Sequence, residues 1–497
     1  MTTFSIENFG CRATDADAAA IRRELLAEGW SLAGAAAGTD VVILNTCTVT
    51  AAADSQAREA VRKIHRANPA ARIVVTGCYA QRAPEELAGM AGVELVVGNS
   101  HQTAIPRMLR ELSWSGNGAN ELGATDASSA MGGCGADFVP LAGLAGDAMS
   151  LERGPAKILT GDIFAQTTVA VGPATLGAGD RTRPILKIQD GCDNRCAYCV
   201  IPMVRGNSRS LEPDDVVAEA RKLVAAGARE IVLSGINLGS YGRDLTPRAG
   251  LAQVVRRILE ETALEQVRLS SIEPQDVTAE LVELVASSER IARHFHVPMQ
   301  SGSDGILRAM HRRYRTGHYA ERVRMIRRRL PEAAIGADVI VGFPGETALD
   351  FARTMELIEE LPLTSLHVFS FSARPGTKAE KLAGFVPAGE IRDRARELRA
   401  LGQRKAAEFR AALAGRSFRA LTLARAGEDW TEALTGNYLK VRVRGKHAAN
   451  EWHVVTIGAG ADADQRADCD KAESGRREAG APAEIIAPME AAAVAHS

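Results

Sequence analysis

An alternation of short apolar runs and helical stretches between residues 185 and 371 is the feature that most constrains the fold. Apolar positions at helical spacing separate the runs, as in residues 212–227, "EPDDVVAEARKLVAAG". Alternating strands and helices predict a parallel sheet, and six such units predict a partial barrel. In barrels of this kind the chemistry lies at the C-terminal ends of the strands. The six runs that we read as strands are residues 185–190, 229–235, 266–272, 293–299, 334–342 and 364–371.

Three cysteines follow the first of these strands, in "DGCDNRCAYC", residues 190–199: they are Cys192, Cys196 and Cys199. A closed structural zinc site uses four Cys or His ligands in two closely spaced pairs. No second pair exists, because the other five cysteines stand alone in the sequence. Three thiolates leave one metal position open, and iron–sulfur clusters are the soft-ligand cofactors built on thiolates. The spacing therefore favours a cluster with one iron free to bind a ligand.

Composition argues against a disulfide framework. The chain has 497 residues, is 46% hydrophobic and holds only eight cysteines, whereas disulfide frameworks are typical of small secreted chains. At about 150 residues per domain, roughly three domains are expected. The first ten residues, "MTTFSIENFG", lack a basic segment and a continuous apolar stretch, and no run of about 18 apolar residues occurs. We expect reduced thiols, no membrane association and a cytoplasmic protein.

The N-terminal third repeats the pattern of strand, cysteine and helix. "TFSIENFGC", "VVILNTC" and "RIVVTGC" are apolar runs that end in Cys11, Cys47 and Cys78, and helix-like segments separate them. This series predicts a doubly wound parallel sheet whose strand ends open onto one crevice, where the three cysteines can meet. The alternative is that they are buried core cysteines. Because each lies just past its strand, we favour a second cluster held by three thiolates.

The C-x3-C-x2-C spacing, with Tyr198 before the last cysteine, resembles the radical S-adenosylmethionine (SAM) enzymes, in which SAM chelates the free iron. The strand ends "SGIN", "SSIEP", "PMQSGS" and "GFPGET" resemble the SAM-binding edges of that fold. Taken singly, each also fits a turn that ends a strand. The resemblance implies cofactor contacts at Tyr198, Ser234, Gly235, Asn237, Ser271, Glu273, Gln300 and Gly342.

Longer motifs resemble the methylthiotransferase family over nearly the whole chain: "NFGC", "LNTCTVTAAAD", "TGCYAQ" and "LKIQDGCDNRCAYCVIPMVRG". "SGINLGSYG", "HVPMQSGSDGILRAMHRRY" and "DVIVGFPGET" look most like the MtaB-type branch, which modifies threonylcarbamoyladenosine in tRNA. The resemblance implies two [4Fe–4S] clusters, SAM, and methylthiolation at C2 of N6-threonylcarbamoyladenosine at position 37. The product would be 2-methylthio-N6-threonylcarbamoyladenosine. A C2–H bond is neither acidic nor attached to a leaving group, so cofactor-borne radical chemistry is required.

Other functions remain open at this point. Sister branches of the family methylthiolate isopentenyladenosine in tRNA or an aspartate of a ribosomal protein. A radical SAM enzyme acting on a small molecule, or a non-catalytic iron–sulfur protein that binds RNA, would need many of the same residues. One departure from the family pattern concerns the auxiliary cluster: the usual Asn three residues after the first cysteine is Thr14, while the acidic residue three further on remains, as Asp17. The loss of the Asn weakens the expected support of that cluster.

Recognition of RNA must be local, because the formal net charge is −1. Residues 308–330 hold nine arginines against a single glutamate, so we expect phosphate contacts from Arg312, Arg313 and Arg315. The alternative is a solvated helix face. "GNYLKVRV" resembles the RNA-binding TRAM module, in which Tyr438 would stack on a base and Lys440 would supply a cation. Tyr438 also fits a core position.

The predicted fold class is α/β, with a doubly wound N-terminal domain, a partial (β/α)6 radical SAM barrel and a small TRAM-like β-barrel. We expect the two clusters to face each other across a shared cavity, and we regard Cys134 and Cys469 as incidental. The expected partners are tRNA, an electron donor such as a flavodoxin or ferredoxin, and a sulfur source. The expected divisions are residues 1–112 (auxiliary cluster), 113–180 (flexible Gly/Ala-rich linker), 181–413 (radical SAM), 414–460 (TRAM-like) and 461–497 (disordered tail).

Overall fold

The computed structural model describes residues 2–34, 38–114, 148–152, 156–171, 182–458, 470–471 and 482–485. The chain forms two compact units. Unit 1 comprises Met1–Gly172 with Met203–Asn207, and unit 2 comprises Pro173–Pro202 with Ser208–Ser497. Among the described residues no helix is long and apolar enough to cross a lipid bilayer. Cys134 and Cys469 lie outside the described residues.

Unit 1 is a mainly parallel sheet with helices on both faces. The strand order is β2-β1-β3-β4-β5-β7-β6, and only β6 runs antiparallel to its neighbour. The order reverses between β1 and β3, which confirms the doubly wound topology and places a crevice at that point. The elements are β1 (Thr3–Phe9), α1 (Arg12–Ala27), β2 (Ser31–Leu32), β3 (Val41–Thr46), α2 (Ala51–Ala67), β4 (Arg72–Gly77), α3 (Cys78–Arg82), α4 (Pro84–Ala88), β5 (Val93–Gly98), α5 (Ile105–Trp114), β6 (Ala148–Glu152) and β7 (Lys157–Gly161).

The central strands of unit 1 are apolar along their length because both faces of the sheet are covered. Successive residues of a strand point to opposite faces. Val42 and Leu44 accordingly belong to one apolar cluster, which includes α2, while Val41 and Ile43 belong to a second cluster, which includes α1. All six residues of β3 are buried. This packing fixes the ends of β1, β3 and β4 side by side.

The prediction of a flexible linker over residues 113–180 is wrong for part of that range. Lys157–Gly161 forms β7, which pairs in parallel with β5, and Ala148–Glu152 forms β6 beside it. Ile158 and Leu159 are buried in unit 1. The short run "KILTG" is apolar enough to extend the sheet, although the surrounding composition is rich in Gly and Ala. Residues 115–147, 153–155 and 172–181 lie outside the described residues.

Unit 2 contains the six parallel strands expected from the sequence. They form the sheets β11-β10-β8 and β12-β13-β14, joined by the isolated bridges Val267–Ile291 and Ser271–His296, and the short strand β9 pairs antiparallel with β8. The partial six-stranded barrel is therefore confirmed. Its elements are β8 (Ile185–Asp190), α6 (Ile201–Arg205, which runs into unit 1), β9 (Arg209–Ser210), α7 (Pro213–Ala225), β10 (Glu230–Gly235), α8 (Leu251–Glu261), β11 (Gln266–Leu269), α9 (Ala279–Ser287), β12 (His294–His296), α10 (Asp304–Ala309), α11 (Thr316–Arg329), β13 (Ala334–Val341), α12 (Ala348–Glu360), β14 (Ser365–Ser370) and α13 (Ala388–Ala412).

A curled, mostly antiparallel sheet follows α13 within unit 2. β15 pairs with both β16 and β18, and β16 pairs with β17, around a core that includes Ala420, Val441 and Val455. The prediction of a disordered tail over residues 461–497 is wrong at two short strands. β19 pairs with β18, and β20 pairs with both β17 and β18. The elements are β15 (Ser417–Ala426), β16 (Trp430–Thr435), β17 (Lys440–Arg444), β18 (Trp452–Ile457), β19 (Asp470–Lys471) and β20 (Pro482–Ile485). The remainder of that tail lies outside the described residues.

A buried arginine joins this sheet to the barrel. The Nε atom of Arg268, on β11, donates to Glu230 Oε1 at 2.7 Å, and both side chains are fully buried. Its Nη atoms donate to the carbonyl oxygens of Thr435 and Gly436 at 3.1 and 3.0 Å. Burial alone would raise the pKa of Glu230, but Arg268 and Arg183 hold it below its usual value. The buried ion pair of the barrel therefore also binds the C-terminal sheet, through the hydrogen bonds of Arg268 to Thr435 and Gly436.

Candidate metal centres

The first cysteine trio lies at one edge of the sheet of unit 1. β1, β3 and β4 are adjacent and in register, with Phe9 opposite Thr46 and Thr46 opposite Gly77. Cys11, Cys47 and Cys78 follow these three strand ends by one or two residues. The topology thus brings together three cysteines that are more than thirty residues apart in sequence.

Two of the three thiols, those of Cys47 and Cys78, are buried, whereas Cys11 is exposed. Burial raises the pKa of Cys47 to about 12, and the neighbouring Cys78 and Cys11 add to that increase. Burial also raises the pKa of Cys78, against the opposing effect of Arg205. Without a metal these two thiols are neutral at pH 7, so metal binding must release their protons.

A buried arginine contacts the first trio. Arg205 Nε donates to Cys78 Sγ at 3.3 Å, and Nη2 donates to Asp17 Oδ2 at 2.7 Å. The two charged side chains are 2% and 0% exposed. Asn99 Nδ2 donates to the same sulfur at 3.5 Å and to the Val204 carbonyl at 2.8 Å. Hydrogen bonds to sulfur are one of the means by which proteins tune iron–sulfur centres.

The sequence analysis missed Arg205 and Asn99. Arg205 had one signal, since it is the single charge in the apolar stretch "VIPMVR" that follows the second trio. Thr14 does not contact a sulfur: its hydroxyl donates to the Cys11 carbonyl oxygen at 2.7 Å, within the first turn of α1. Asn99 and Arg205 donate to Cys78 Sγ instead, and Asp17 accepts a hydrogen bond from the arginine.

The second trio lies in the loop after β8, at the C-terminal end of the first barrel strand. Burial raises the pKa of Cys192 to about 11 and that of Cys199 to about 12, and Cys196 raises both further.

Arg312 contacts the second trio and does not face solvent. Its Nη1 atom donates to Cys196 Sγ at 3.3 Å and lies 3.5 Å from the Tyr198 hydroxyl, while Nη2 pairs with Glu273. The residue is 7% exposed. The prediction that Arg312 binds RNA phosphate is therefore wrong. Each trio has a buried arginine that donates to one sulfur and is held by a carboxylate.

Three of the predicted SAM contacts gather beside Cys192. The backbone N–H of Asn237 donates to Gln189 Oε1 at 2.8 Å, and its side-chain amide lies 4.0 Å from Cys192 Sγ. A Cβ atom on Gly235 would lie 2.8 Å from that same Gln189 oxygen, so a side chain does not fit there. Ser234 is buried, and the strand register shifts between it and Gly235.

The remaining predicted contacts lie at other strand ends of the barrel. Gln300 and Gly342 have φ values of 65° and 77°, a region that is unusual for a residue with a side chain. A Cβ atom on Gly342 would lie 2.4 Å from Ile391 Cγ1. The Ser271 hydroxyl is 2.7 Å from His296 Nδ1, and the Tyr198 ring packs edge-on against Phe343.

Two orphaned amide oxygens test whether this end of the barrel fits a polar cofactor. Asn237 Oδ1 and Gln300 Oε1 are buried and have no hydrogen-bond partner within the part of the chain that the structure describes. Buried polar atoms are normally paired, so an unpaired one needs an explanation. SAM carries an ammonium group and ribose hydroxyls, which are the donors that these oxygens lack.

The predicted RNA contacts have different environments. Arg313 is exposed, whereas Arg315 donates to the carbonyl oxygens of Arg312 and Tyr314. The Tyr438 ring stacks on His294 at 4.4 Å, with the Arg268 guanidinium 5.2 Å from its centre. These contacts favour the alternative of a packed position for Tyr438, and base stacking by this ring stays a prediction.

The other basic groups are largely used within unit 2. Lys440 Nζ is 3.6 Å from Glu432 Oε1. On α11, Arg329 pairs with Glu283 and Arg324 with Glu360, while Arg327 donates to the Pro362 carbonyl oxygen. These three arginines therefore follow the alternative of a solvated face with neighbouring carboxylates.

Comparison with known proteins defines the class first. The profile of the Radical SAM superfamily matches residues 186–358. That of "Uncharacterized protein family UPF0004" matches residues 3–98. The fold is similar to that of the radical SAM methyltransferase TsrM from Kitasatospora setae, with a TM-score of 0.54 and 18% identity, covering 76% of this chain and 77% of that one. With its two cysteine trios, the protein is a radical SAM protein with an additional N-terminal metal centre.

Curated relatives define the family. A threonylcarbamoyladenosine tRNA methylthiotransferase MtaB from Aquifex aeolicus is 34% identical over 89% of this chain and 96% of its own length. A tRNA-2-methylthio-N(6)-dimethylallyladenosine synthase from Syntrophobacter fumaroxidans is 35% identical over 77% of this chain and 76% of its own. The chain belongs to the MtaB-type radical SAM methylthiotransferases.

Proposed function

We propose that the protein methylthiolates C2 of N6-threonylcarbamoyladenosine at position 37 of tRNA, to give 2-methylthio-N6-threonylcarbamoyladenosine. The observation that carries this proposal is the pair of cysteine trios at parallel strand ends, each beside a buried arginine. The choice of substrate rests on the relatives named MtaB, one of which is matched over 96% of its length.

The chain's residues fit two iron–sulfur clusters and SAM. Cys11, Cys47 and Cys78 would hold one cluster, and Cys192, Cys196 and Cys199 the other; three thiolates leave one iron of each available. When bound, these groups supply the radical chemistry and the methylthio sulfur that an unactivated C2–H bond requires.

The protein's own residues set the conditions at each centre. Arg205 and Asn99 donate hydrogen bonds to Cys78, and Arg312 donates one to Cys196. A buried arginine therefore lies beside the negative charge that each trio carries once its thiols are ionised. A cationic neighbour favours the thiolate form over the thiol. The unpaired amide oxygens of Asn237 and Gln300 would orient SAM by accepting hydrogen bonds from it.

Loading of the two centres can be tested by anaerobic iron and sulfide quantification on the full chain. Each trio is replaced separately by alanine, and Cys134→Ala, outside both trios, serves as the control. We expect each triple variant to lose half of the iron and the control to lose none. Loss of all iron from either variant, or retention of all of it, would contradict two independent centres.

The substrate is tested by mass spectrometry of tRNA nucleosides from cells that lack the gene and carry a plasmid copy. Restoration of 2-methylthio-N6-threonylcarbamoyladenosine by the intact chain, but not by Cys192→Ala, supports the proposal. Restoration of only the methylthio form of isopentenyladenosine would favour the function named for the Syntrophobacter relative. No change in either nucleoside would point to a ribosomal-protein substrate, a small-molecule substrate or a non-catalytic role, and would overturn the proposal.

The partners follow from this reaction. tRNA is the macromolecular substrate, and the exposed Arg313 remains a candidate phosphate contact. An electron donor of the flavodoxin or ferredoxin type and a source of sulfur are needed for turnover, and the cytoplasm is where tRNA would be met. Turnover with a chemical reductant, but not with a reduced flavodoxin or ferredoxin, would argue against such donors.

A further inference from the structure

A second kind of metal-binding arrangement lies inside unit 2, on three adjacent parallel strands. His296, Asp338 and His367 belong to β12, β13 and β14. His296 Nε2 is 3.1 Å and His367 Nδ1 is 3.3 Å from the same oxygen, Asp338 Oδ1. All three donor atoms lie within 4.8 Å of one another. None of these residues belongs to either cysteine trio.

The spacing matches what a small tetrahedral ion requires. Bonds of about 2.0–2.2 Å from zinc to nitrogen and oxygen place neighbouring donor atoms roughly 3.3 Å apart. Among the described residues His296 Nε2 is buried without an aligned hydrogen-bond partner, although Asp338 Oδ1 is 3.1 Å away. Hydrogen bonds from the two histidines to Asp338 are the metal-free alternative, and retention of zinc distinguishes the metal site from it.

The neighbours of His296 hold its ring in place. A Cβ atom on Gly336 would lie 3.0 Å from His296 Cδ2, so the glycine leaves room for the imidazole. The Ser271 hydroxyl is 2.7 Å from Nδ1. Metal-binding histidines usually use their second ring nitrogen in such a hydrogen bond, which fixes the ring and leaves the other nitrogen for the metal.

Access also suits a cation. His296 is only 8% exposed, whereas the His367 side chain is 51% exposed. One side of the group is therefore enclosed, and the other is open to an incoming ion and a further ligand.

We propose that His296, Asp338 and His367 form a zinc site with two nitrogen ligands, one oxygen ligand and an open fourth position. Two histidines and a carboxylate are a common catalytic zinc donor set, in which the open position takes water or a substrate atom. Entry of the ion forms three metal–ligand bonds, and any proton on the two ligating histidine nitrogens is released to solvent. Ser271 is the positioning residue of this site.

The test uses the full chain with both iron–sulfur clusters loaded anaerobically, incubated with zinc and then exchanged into buffer with a weak chelator. Zinc and iron are counted in the same sample, and zinc-edge X-ray absorption identifies the ligand atoms. The variants are Asp338→Asn and His367→Ala, with Ser271→Ala for the positioning hydrogen bond. The matched control is His318→Ala, a partly buried histidine on α11.

We expect one zinc per chain, with nitrogen and oxygen ligands only, in the wild type and in His318→Ala. Asp338→Asn and His367→Ala should lose it while they keep the wild-type iron content, and Ser271→Ala should bind zinc about 10- to 100-fold more weakly. Three outcomes would overturn the proposal: no retained zinc in the wild type, sulfur among the zinc ligands, or unchanged zinc in His367→Ala. Each is distinct from failure of the proposed reaction, because zinc and iron are counted without measuring turnover.

Discussion

Asp17→Asn should destabilise unit 1 far more than its conservative size change suggests. Asp17 and Arg205 are 0% and 2% exposed, and their ion pair spans 2.7 Å. Removing one partner of a buried ion pair leaves the other charge buried without compensation, which typically costs about 3–5 kcal/mol. The matched control is Glu283→Gln. This substitution breaks the ion pair between Glu283 and Arg329, whose side chains are 57% and 52% exposed, respectively. Exposed ion pairs contribute roughly 0–1 kcal/mol to stability.

Hydrogen exchange followed by mass spectrometry separates the two units and so suits this comparison. At about 1.4 kcal/mol per tenfold, a loss of 3–5 kcal/mol corresponds to roughly 10²- to 4 × 10³-fold faster exchange of the slowest amides in β3 and β4. These strands carry the buried core of unit 1. Both variants are compared with the wild type without clusters, so that the change reports the ion pair rather than metal loading. Equal and small effects of Asp17→Asn and Glu283→Gln would refute the reasoning, because they would show that Arg205 does not depend on Asp17.

Three further predictions concern unit 2. Arg268→Met should speed exchange in β16, because this strand loses the hydrogen bond from Arg268 to the Thr435 carbonyl oxygen. The loss should be smaller than the about 3–5 kcal/mol of an uncompensated buried charge, because Glu230 keeps Arg183 and Gln266 as partners. Arg419→Gln, which breaks an exposed pair with Glu265, should have little effect. Thr347→Ala should lower unfolding free energy by about 1 kcal/mol in urea titrations, because the Thr347 hydroxyl caps α12, whereas Thr347→Ser should restore most of it. Burial opposes ionisation of Asp350, but hydrogen bonds from Ser303 and Thr347 hold its pKa below the usual value. The contribution of the Asp350 carboxylate to the free energy of unfolding is therefore complete above its pKa in the unfolded chain. It is lost as pH falls through the lower pKa of the folded state. In urea titrations between pH 5 and pH 2, Asp350→Asn should remove this loss of stability.

Local patterns in the chain sufficed for the architecture and for placing three cysteines at neighbouring strand ends. The six barrel strands were recognisable because each is a short apolar run bounded by turn residues. The cysteines of the first trio were recognisable because all three follow such runs. Parallel strands align their ends, so an equivalent position in sequence became a neighbouring position in space. This reasoning needs only information within about ten residues of each strand.

The roles of the long charged and aromatic side chains were decided by tertiary structure. Arg312 was expected to face RNA, yet it reaches Cys196, which is 116 residues away in sequence. Arg205 reaches Cys78 across 127 residues, and Tyr438 packs on His294. β7 likewise joined a sheet edge that only the folded unit creates. A long side chain turns inward when a distant part of the chain supplies an opposite charge, a sulfur or a ring face. The sequence determined which groups are present, and the packing of distant segments determined which of them meet.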